Sequence, residues 1–426
     1  MALEDYRADM ERCTRCSYCK WIPLDHIKNW RFAAGCPSIE YGKFHAYSAS
    51  GRLSVALSFL DGRSSYTDKF LDIVFKCQMD GLCDVSDKIC RYNMEPLQIM
   101  RELRHKLVED GQILPQHLLV IENLRKEDNM MLKPKSERGE WAEGLGIKDL
   151  TTDKAEVLFH AGCRFSYDKD LWKVTRTAIN LLTGAGLDIG ILGKDESCCG
   201  GRAFDIGFQS ELTKFCEHNV EAWRQAGIKT IVTSCSDCYF TFKRLYPMIG
   251  SEFEVLHTVE LIDRLVKEGK IKLKNRVPMK VTYHDPCHLG RLGEPYVPWN
   301  GREKKIFGQM VVYEPPKPRY NGVFGVYEPP RTLLKNIPGL ELVEMPRRRE
   351  FAWCCGAGGG VIDAYPEFSL QTASERIEEA EFTGAQAIVS ACPWCERNFS
   401  DAISNTQTIS TKMEVFDIVE LVSKAL

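Results

Sequence analysis

Short apolar runs recur along the rear two-thirds of the chain. Val157-Leu158-Phe159, Thr230-Ile231-Val232, Lys280-Val281-Thr282-Tyr283 and Ala387-Ile388-Val389 are too short for helices and rich in β-branched or aromatic residues. Such runs predict buried parallel strands. The segments between them change period: Leu171, Val174, Ala178, Leu181 and Leu182 follow helical spacing. Strand-then-helix alternation predicts an α/β architecture with parallel sheets. The front of the chain reads as a helical module instead, with apolar positions at helical spacing over 48–60, 66–74 and 95–107, the last through Leu97, Met100, Leu103 and Leu107. Residues 125–144 are polar and charged with few apolar anchors, which predicts an exposed linker.

The α/β half is written twice. Glu254-Val255-Leu256-His257 returns as Glu414-Val415-Phe416-Asp417, an offset of 160. Two cysteine groups repeat at offsets of 157 (Cys235 to Cys392) and 156 (Cys198 to Cys354). Offsets this steady mark an internal repeat. Cys163 and Cys287 are only 124 apart, so the second copy is 32 residues longer before Cys354. The extra length falls near 293–325, where Tyr313-Glu314-Pro315-Pro316 is echoed by Tyr327-Glu328-Pro329-Pro330. It predicts a surface segment that docks a partner or covers the adjacent site. The expected domains are 1–135, 152–275 and 276–426.

Composition narrows the function. The formal charge of −3 is close to balanced, and no basic stripe points to nucleic acid. No apolar run is long enough to span a membrane, so membrane contact would come through a partner. The first residues are charged, with no apolar leader, and the expectation is a cytoplasmic protein. The 18 cysteines sit in Cys-x-x-Cys groups inside a long patterned chain, which favours metal binding in a reducing compartment over a disulfide scaffold.

Ten of those cysteines form one five-membered pattern twice: Cys163, Cys198, Cys199, Cys235 and Cys238, then Cys287, Cys354, Cys355, Cys392 and Cys395. Five thiolates exceed what one tetrahedral metal takes, and adjacent cysteines do not readily pair with each other. The pattern suits a multinuclear iron–sulfur cluster. Each group follows a predicted strand, so the thiols gather at the carboxyl edge of a sheet, where helix N-termini offer N–H donors to an anion. Gly200, Gly201, Gly356, Gly358, Gly359 and Gly360 fit neither a P-loop nor a dinucleotide fingerprint. They are expected to let backbone approach a bulky cluster.

The front module carries Cys13, Cys16 and Cys19 at ferredoxin spacing, then Cys36 before Pro37, and a second group of Cys77, Asp80, Cys83 and Cys90. By the ferredoxin crossover rule, one cubane takes Cys13, Cys16, Cys19 and Cys90, and the other takes Cys36, Cys77 and Cys83. Asp80 stands where a cysteine is expected; it either ligates weakly or leaves a three-iron cluster. A zinc site is the alternative for the first group. Cys216 lies outside every set and reads as a packed small hydrophobe. His160, His284 and His288 flank cluster cysteines, and are expected to hydrogen-bond within the fold or move protons. Arg347-Arg348-Arg349 reads as a solvated face, with partner docking as the alternative.

These motifs resemble a known family. Cys163-x34-Cys198-Cys199-x35-Cys235-x2-Cys238 is similar to the cysteine-rich CCG domain of heterodisulfide reductase. So are His284-Asp285-Pro286-Cys287, Trp353-Cys354-Cys355-Gly356 and Cys392-Pro393-Trp394-Cys395. A dicubane module before two such domains looks like the D-type subunit, a fusion of the C and B subunits. The resemblance extends to the electron-transfer subunit of tungsten-dependent benzoyl-CoA reductase. It implies [4Fe–4S] cubanes at the front, one of them [3Fe–4S] or Asp80-ligated, that feed one or two noncubane [4Fe–4S] clusters behind; zinc in one five-cysteine set is the lesser alternative. It further implies redox partners: a flavin-containing or ferredoxin-like donor and a catalytic reductase subunit. Two activities follow from it. The chain is either an electron relay within an anaerobic multisubunit reductase or a catalyst that reduces a disulfide. The second would use Cys287, Cys354, Cys355, Cys392 and Cys395, under a cavity over that set.

Overall fold

The computed structural model describes residues 2–27, 29–85, 90, 94–307, 310–318, 320–405 and 412–426. The apolar runs form two separate parallel sheets. The first contains β1 (Lys148–Asp149), β2 (Val157–Phe159), β3 (Ile189–Ile191), β4 (Thr230–Thr233) and β5 (Glu254–His257), in the order β1-β3-β2-β4-β5. The second contains β6 (Met279–Tyr283), β9 (Leu340–Val343), β10 (Ala387–Ser390) and β11 (Glu414–Asp417), in the order β11-β10-β6-β9. Read in one direction the shared orders are β3-β2-β4-β5 and β9-β6-β10-β11, so the repeat seen in the cysteines is a repeat of topology. Helices cover both sheets, and Leu158, Val232, Val281 and Ile388 are fully buried, as double-sided strands require.

The front of the chain is helical, with Ala49–Leu60, Asp68–Phe75, Pro96–Glu109 and Pro115–Glu127 as its main elements. Ser48 and Thr67 cap two of them by accepting the Gly51 and Phe70 N–H groups at 3.0 and 3.1 Å. The apolar faces of this region and both sheets merge into one continuous core.

Arg104 ties the three regions together. It is fully buried, and its guanidinium donates to carbonyls of Val74, Phe75 and Cys77 from the front module, Asp205 from the first copy and Gly359 from the second. Burial with carbonyl partners alone pulls its pKa down to about 10.

Two expectations change. The segment 125–144 is no exposed linker: it begins inside the helix Pro115–Glu127 and then packs on the first copy, burying Asn129, Arg138 and Trp141. Its polar groups are satisfied internally; the Asn129 amide donates to the carbonyls of Glu127 and Lys133. Arg347 is no solvated residue either. It is fully buried, paired with Glu379 at 2.9 Å and Glu375 at 2.8 Å, and stacked 4.2 Å over Trp353. In both places a charge met a buried partner distant in sequence, which patterning cannot see. The insertion near 293–325 contains an antiparallel hairpin, β7 (Arg302–Ile306) with β8 (Met310–Glu314); residues 308–309 and 319 lie outside the described residues. Its base packs at the turn after Cys287, where Glu294 accepts the Phe324 N–H at 2.8 Å.

Candidate metal centres

The cysteines of the two five-membered sets lie in the segments that follow the strands, close behind them for Cys163, Cys235, Cys287 and Cys392 and farther on for the two pairs. Cys163 lies in the helix Gly162–Tyr167 after β2, Cys198 and Cys199 follow β3, and Cys235 precedes the helix Ser236–Phe240 after β4. Cys287 follows β6, Cys354 and Cys355 follow β9, and Cys392 precedes the helix Pro393–Ser404 after β10. The cysteine pairs make the same local turn in both copies: Gly200 N–H points at Cys198 Sγ (3.4 Å), and Gly356 N–H at Cys354 Sγ (3.3 Å). Nine of these thiols are buried, Cys287 is half-buried, and none forms a disulfide.

The thiols act on one another electrostatically in a continuous series. It runs from Cys163 through Cys198, Cys199 and Cys238 to Cys235, crosses to Cys392, and continues through Cys395, Cys355 and Cys354 to Cys287. The crossing is reinforced by the Ser236 hydroxyl, which donates to Ala391 O at 2.8 Å. Hydrogen bonding from Cys198 brings Cys163 down to about 7, and bonds from Cys354 and Cys395 bring Cys355 to about 6. Their donors Cys198 and Cys354 are pushed up. A buried crowd of this kind can be wholly deprotonated only around a polycation, so the donor set fits iron–sulfur clusters.

Polar neighbours differ between the copies. At the first set, Arg138 reaches within 3.7 Å of Cys163 Sγ and pairs with Glu196 at 2.9 Å, while Glu196 also accepts the Ala161 and Gly162 N–H groups. His160 lies 3.6 Å from Glu196, with both ring nitrogens lacking hydrogen-bond partners. At the second set, His284 Nδ1 accepts from Arg376 at 3.1 Å, and a ring nitrogen lies within 4.8 Å of Cys355 and Cys395 sulfurs. His288 Nδ1 is 3.2 Å from Cys287 Sγ and 3.4 Å from Asp237 of the first copy. Across the same seam, Trp394 is sandwiched between Arg164 and Arg202, at 4.2 and 4.7 Å. The cavity in this seam, beside Arg202 and His288, measures about 10 Å³. That is the size of one water molecule.

The front module forms two groups. Cys13 has Cys16 and Cys90 as its sulfur neighbours, and Cys19 has Cys13 and Cys16 together with Cys83 of the second group. Arg15 and Ser17 take left-handed φ values of 58° and 66°, which curl the Cys-x2-Cys-x2-Cys loop. Cys16 is exposed. Cys36, Cys77, Asp80 and Cys83 line a cavity of about 30 Å³, which Cys19 also borders. Burial pushes the Cys36 thiol up to about 12. The residues of each crossover group therefore lie together in space.

Two of the glycines serve a close approach of backbone to backbone. A Cβ on Gly358 would meet Gln78 O, and one on Gly359 would meet Cys77 O. Their bareness seats the second copy's cysteine loop on the Cys77 loop of the front module. Gly162, unremarked in the sequence, is the one that would strike a cluster cysteine, Cys238 Sγ, at 2.8 Å. Arg138, Glu196, Arg202 and Arg291 were likewise missed; isolated charges in polar stretches carry no signal of what they will face. Cys216 is buried in the helix Gln209–Ala226, as expected for a packed thiol.

Among the described residues no helix is long and apolar enough to cross a membrane. The cysteine-rich CCG domain matches twice, at residues 157–243 and 317–400, the second match leaving Cys287 outside. The D-type subunit of dihydromethanophenazine:CoB–CoM heterodisulfide reductase from Methanosarcina acetivorans is 30% identical over 98% of this chain and 94% of its own length. EtfAB:quinone oxidoreductase from Syntrophomonas wolfei is 27% identical over 81% of this chain and 46% of its own. A solved hypothetical protein from Helicobacter pylori shares the fold alone, with a TM-score of 0.56 at 11% identity over 89% of this chain and 67% of that one. Twin sheets, twin five-cysteine edges and near-full-length identity to a named polypeptide converge: the chain belongs to the family of heterodisulfide reductase D-type subunits, among the iron–sulfur oxidoreductases.

Proposed function

We propose that this chain is the iron–sulfur relay component of a multisubunit reductase, with Cys13, Cys16, Cys19 and Cys90 holding one cubane and Cys36, Cys77 and Cys83 a second cluster. The two five-cysteine sets hold the noncubane pair. When bound, such clusters supply one-electron storage at each site. The observation that carries the reading is the coupling of Cys235 to Cys392, reinforced by the Ser236 hydroxyl bonded to Ala391 O, which supports two rear sites that lie side by side. The Gly358–Gly359 loop against Cys77 joins the front module to the second copy in the same manner. The surrounding residues exclude water and fix charge: Arg138 faces Cys163, and His288 faces Cys287.

The relatives' names point to disulfide- and quinone-directed complexes. The benzoyl-CoA reductase assembly is the further candidate from the sequence resemblance. Anaerobic purification should give brown protein with about sixteen irons per chain if every site holds four. Capture from the native host should retain redox subunits, and reduced dye should not drive disulfide cleavage by the isolated chain. Robust cleavage would assign catalysis to Cys287, Cys354, Cys355, Cys392 and Cys395 instead. Zinc without acid-labile sulfide would end the redox reading altogether.

A further inference from the structure

Asp80 occupies the place of a cysteine in the second front group; one carboxylate oxygen is hydrogen-bonded, and the other is buried beside Arg291 as an ion pair without a hydrogen bond. Oδ1 accepts the Leu82 N–H at 3.1 Å, and Oδ2 lies 3.4 Å from Arg291 Nη2. Arg291 comes from the second copy, four residues beyond Cys287, and is 2% exposed. It has little freedom: Nε donates to Asp80 O at 2.6 Å, and Nη1 donates to Glu350 O at 2.9 Å and Ala352 O at 2.7 Å. A guanidinium fixed by three carbonyls in a dry seam is a permanent positive charge beside the carboxylate. Carboxylate oxygen is in any case a poor match for a soft iron–sulfur corner. Cys19 also borders the cavity and acts on Cys83, but it acts on Cys13 and Cys16 as well and completes the ferredoxin run of the first group.

We propose that Arg291 holds the Asp80 carboxylate away from the metal, so that the second front site binds a three-iron [3Fe–4S] cluster through Cys36, Cys77 and Cys83 alone. The inference rests on the iron–sulfur reading above and deepens it. Asp80 then has a different task. It is the counter-ion that lets a buried arginine bridge the second front site and the loop leading into Cys354.

Electron paramagnetic resonance, Mössbauer spectra and iron counts on full-length protein purified without oxygen test this. The wild type should show a three-iron signal of about one spin per chain. Asp80→Asn should keep that signal and the iron count, because it removes no ligand. Asp80→Cys should abolish the signal, add about one iron per chain and give a new cubane signal on reduction. Arg291→Met, which frees the carboxylate, should weaken the three-iron signal. A wild type with four-iron sites only, or an Asp80→Asn variant that loses iron, overturns the inference while leaving the relay reading intact. Absence of acid-labile sulfide would overturn the relay reading itself.

Discussion

Arg138 is the residue on which the first five-cysteine set leans most. Its guanidinium pairs with the fully enclosed Glu196 and faces Cys163. Arg138→Gln strands that carboxylate, and a loss of about 3–5 kcal/mol is expected. The double variant with Glu196→Gln should recover part of it, as anaerobic denaturant unfolding would show. His117 gives a pH test. It is buried under the second copy's glycine loop, its ring 3.0 Å from Gly360 O, and burial holds its pKa near about 4. The imidazole is neutral in the fold, so its stabilising share is complete above pH 6.5 and is lost as pH falls toward 4. Relative to His117→Gln, the wild type should lose about 3 kcal/mol across that window. Sequence exposed the thiols, since spacing by itself marks candidate ligands. It concealed Arg138, Arg291 and Arg347, because a charged side chain declares its type but not the partner that justifies burying it.

Strand runs and helix periods were legible because double-sided burial leaves no polar position in β2 and β10 facing water. The segment after Glu127 was not, since a polar strap that satisfies its own backbone looks identical to a solvated loop. The hairpin β7–β8 was also missed, as Arg302 to Lys305 alternate nothing apolar and are exposed. Replacing 302–314 with a short glycine–serine link should leave iron content unchanged and the melting midpoint nearly so. A large drop in either would mean that the hairpin supports the Cys287 turn. At the glycine loop the opposite holds. Gly359 has a φ of 58°, and its Cβ would collide with Cys77 O. Gly359→Ala should loosen the front module, seen as faster proteolysis between it and the sheets. Gly184→Ala, where a Cβ meets nothing, is the silent control.

Across the molecule, the order of sites in space is not their order along the chain. The front module abuts the second copy's cysteine loop at Gly358 and Gly359, and the first copy is reached through the Cys392–Cys235 crossing. Cys392→Ser should therefore slow reduction of the first copy's site more than that of the front sites, which freeze-quench spectroscopy would resolve. The repeat offsets told that two like units exist; they could not tell which copy's cysteine loop would seat on the Cys77 loop, because that choice rests on bare glycine backbone. The crossing has a chemical corollary for handling. Once metal is stripped in air, Cys235 has an oxidisable mate in the opposite unit, Cys392, besides Cys238 in its own, so loss of iron should weld a share of the halves to each other. Peptide mapping under non-reducing conditions would find that weld, and reloading such material would require a thiol reductant before any iron or sulfide could return.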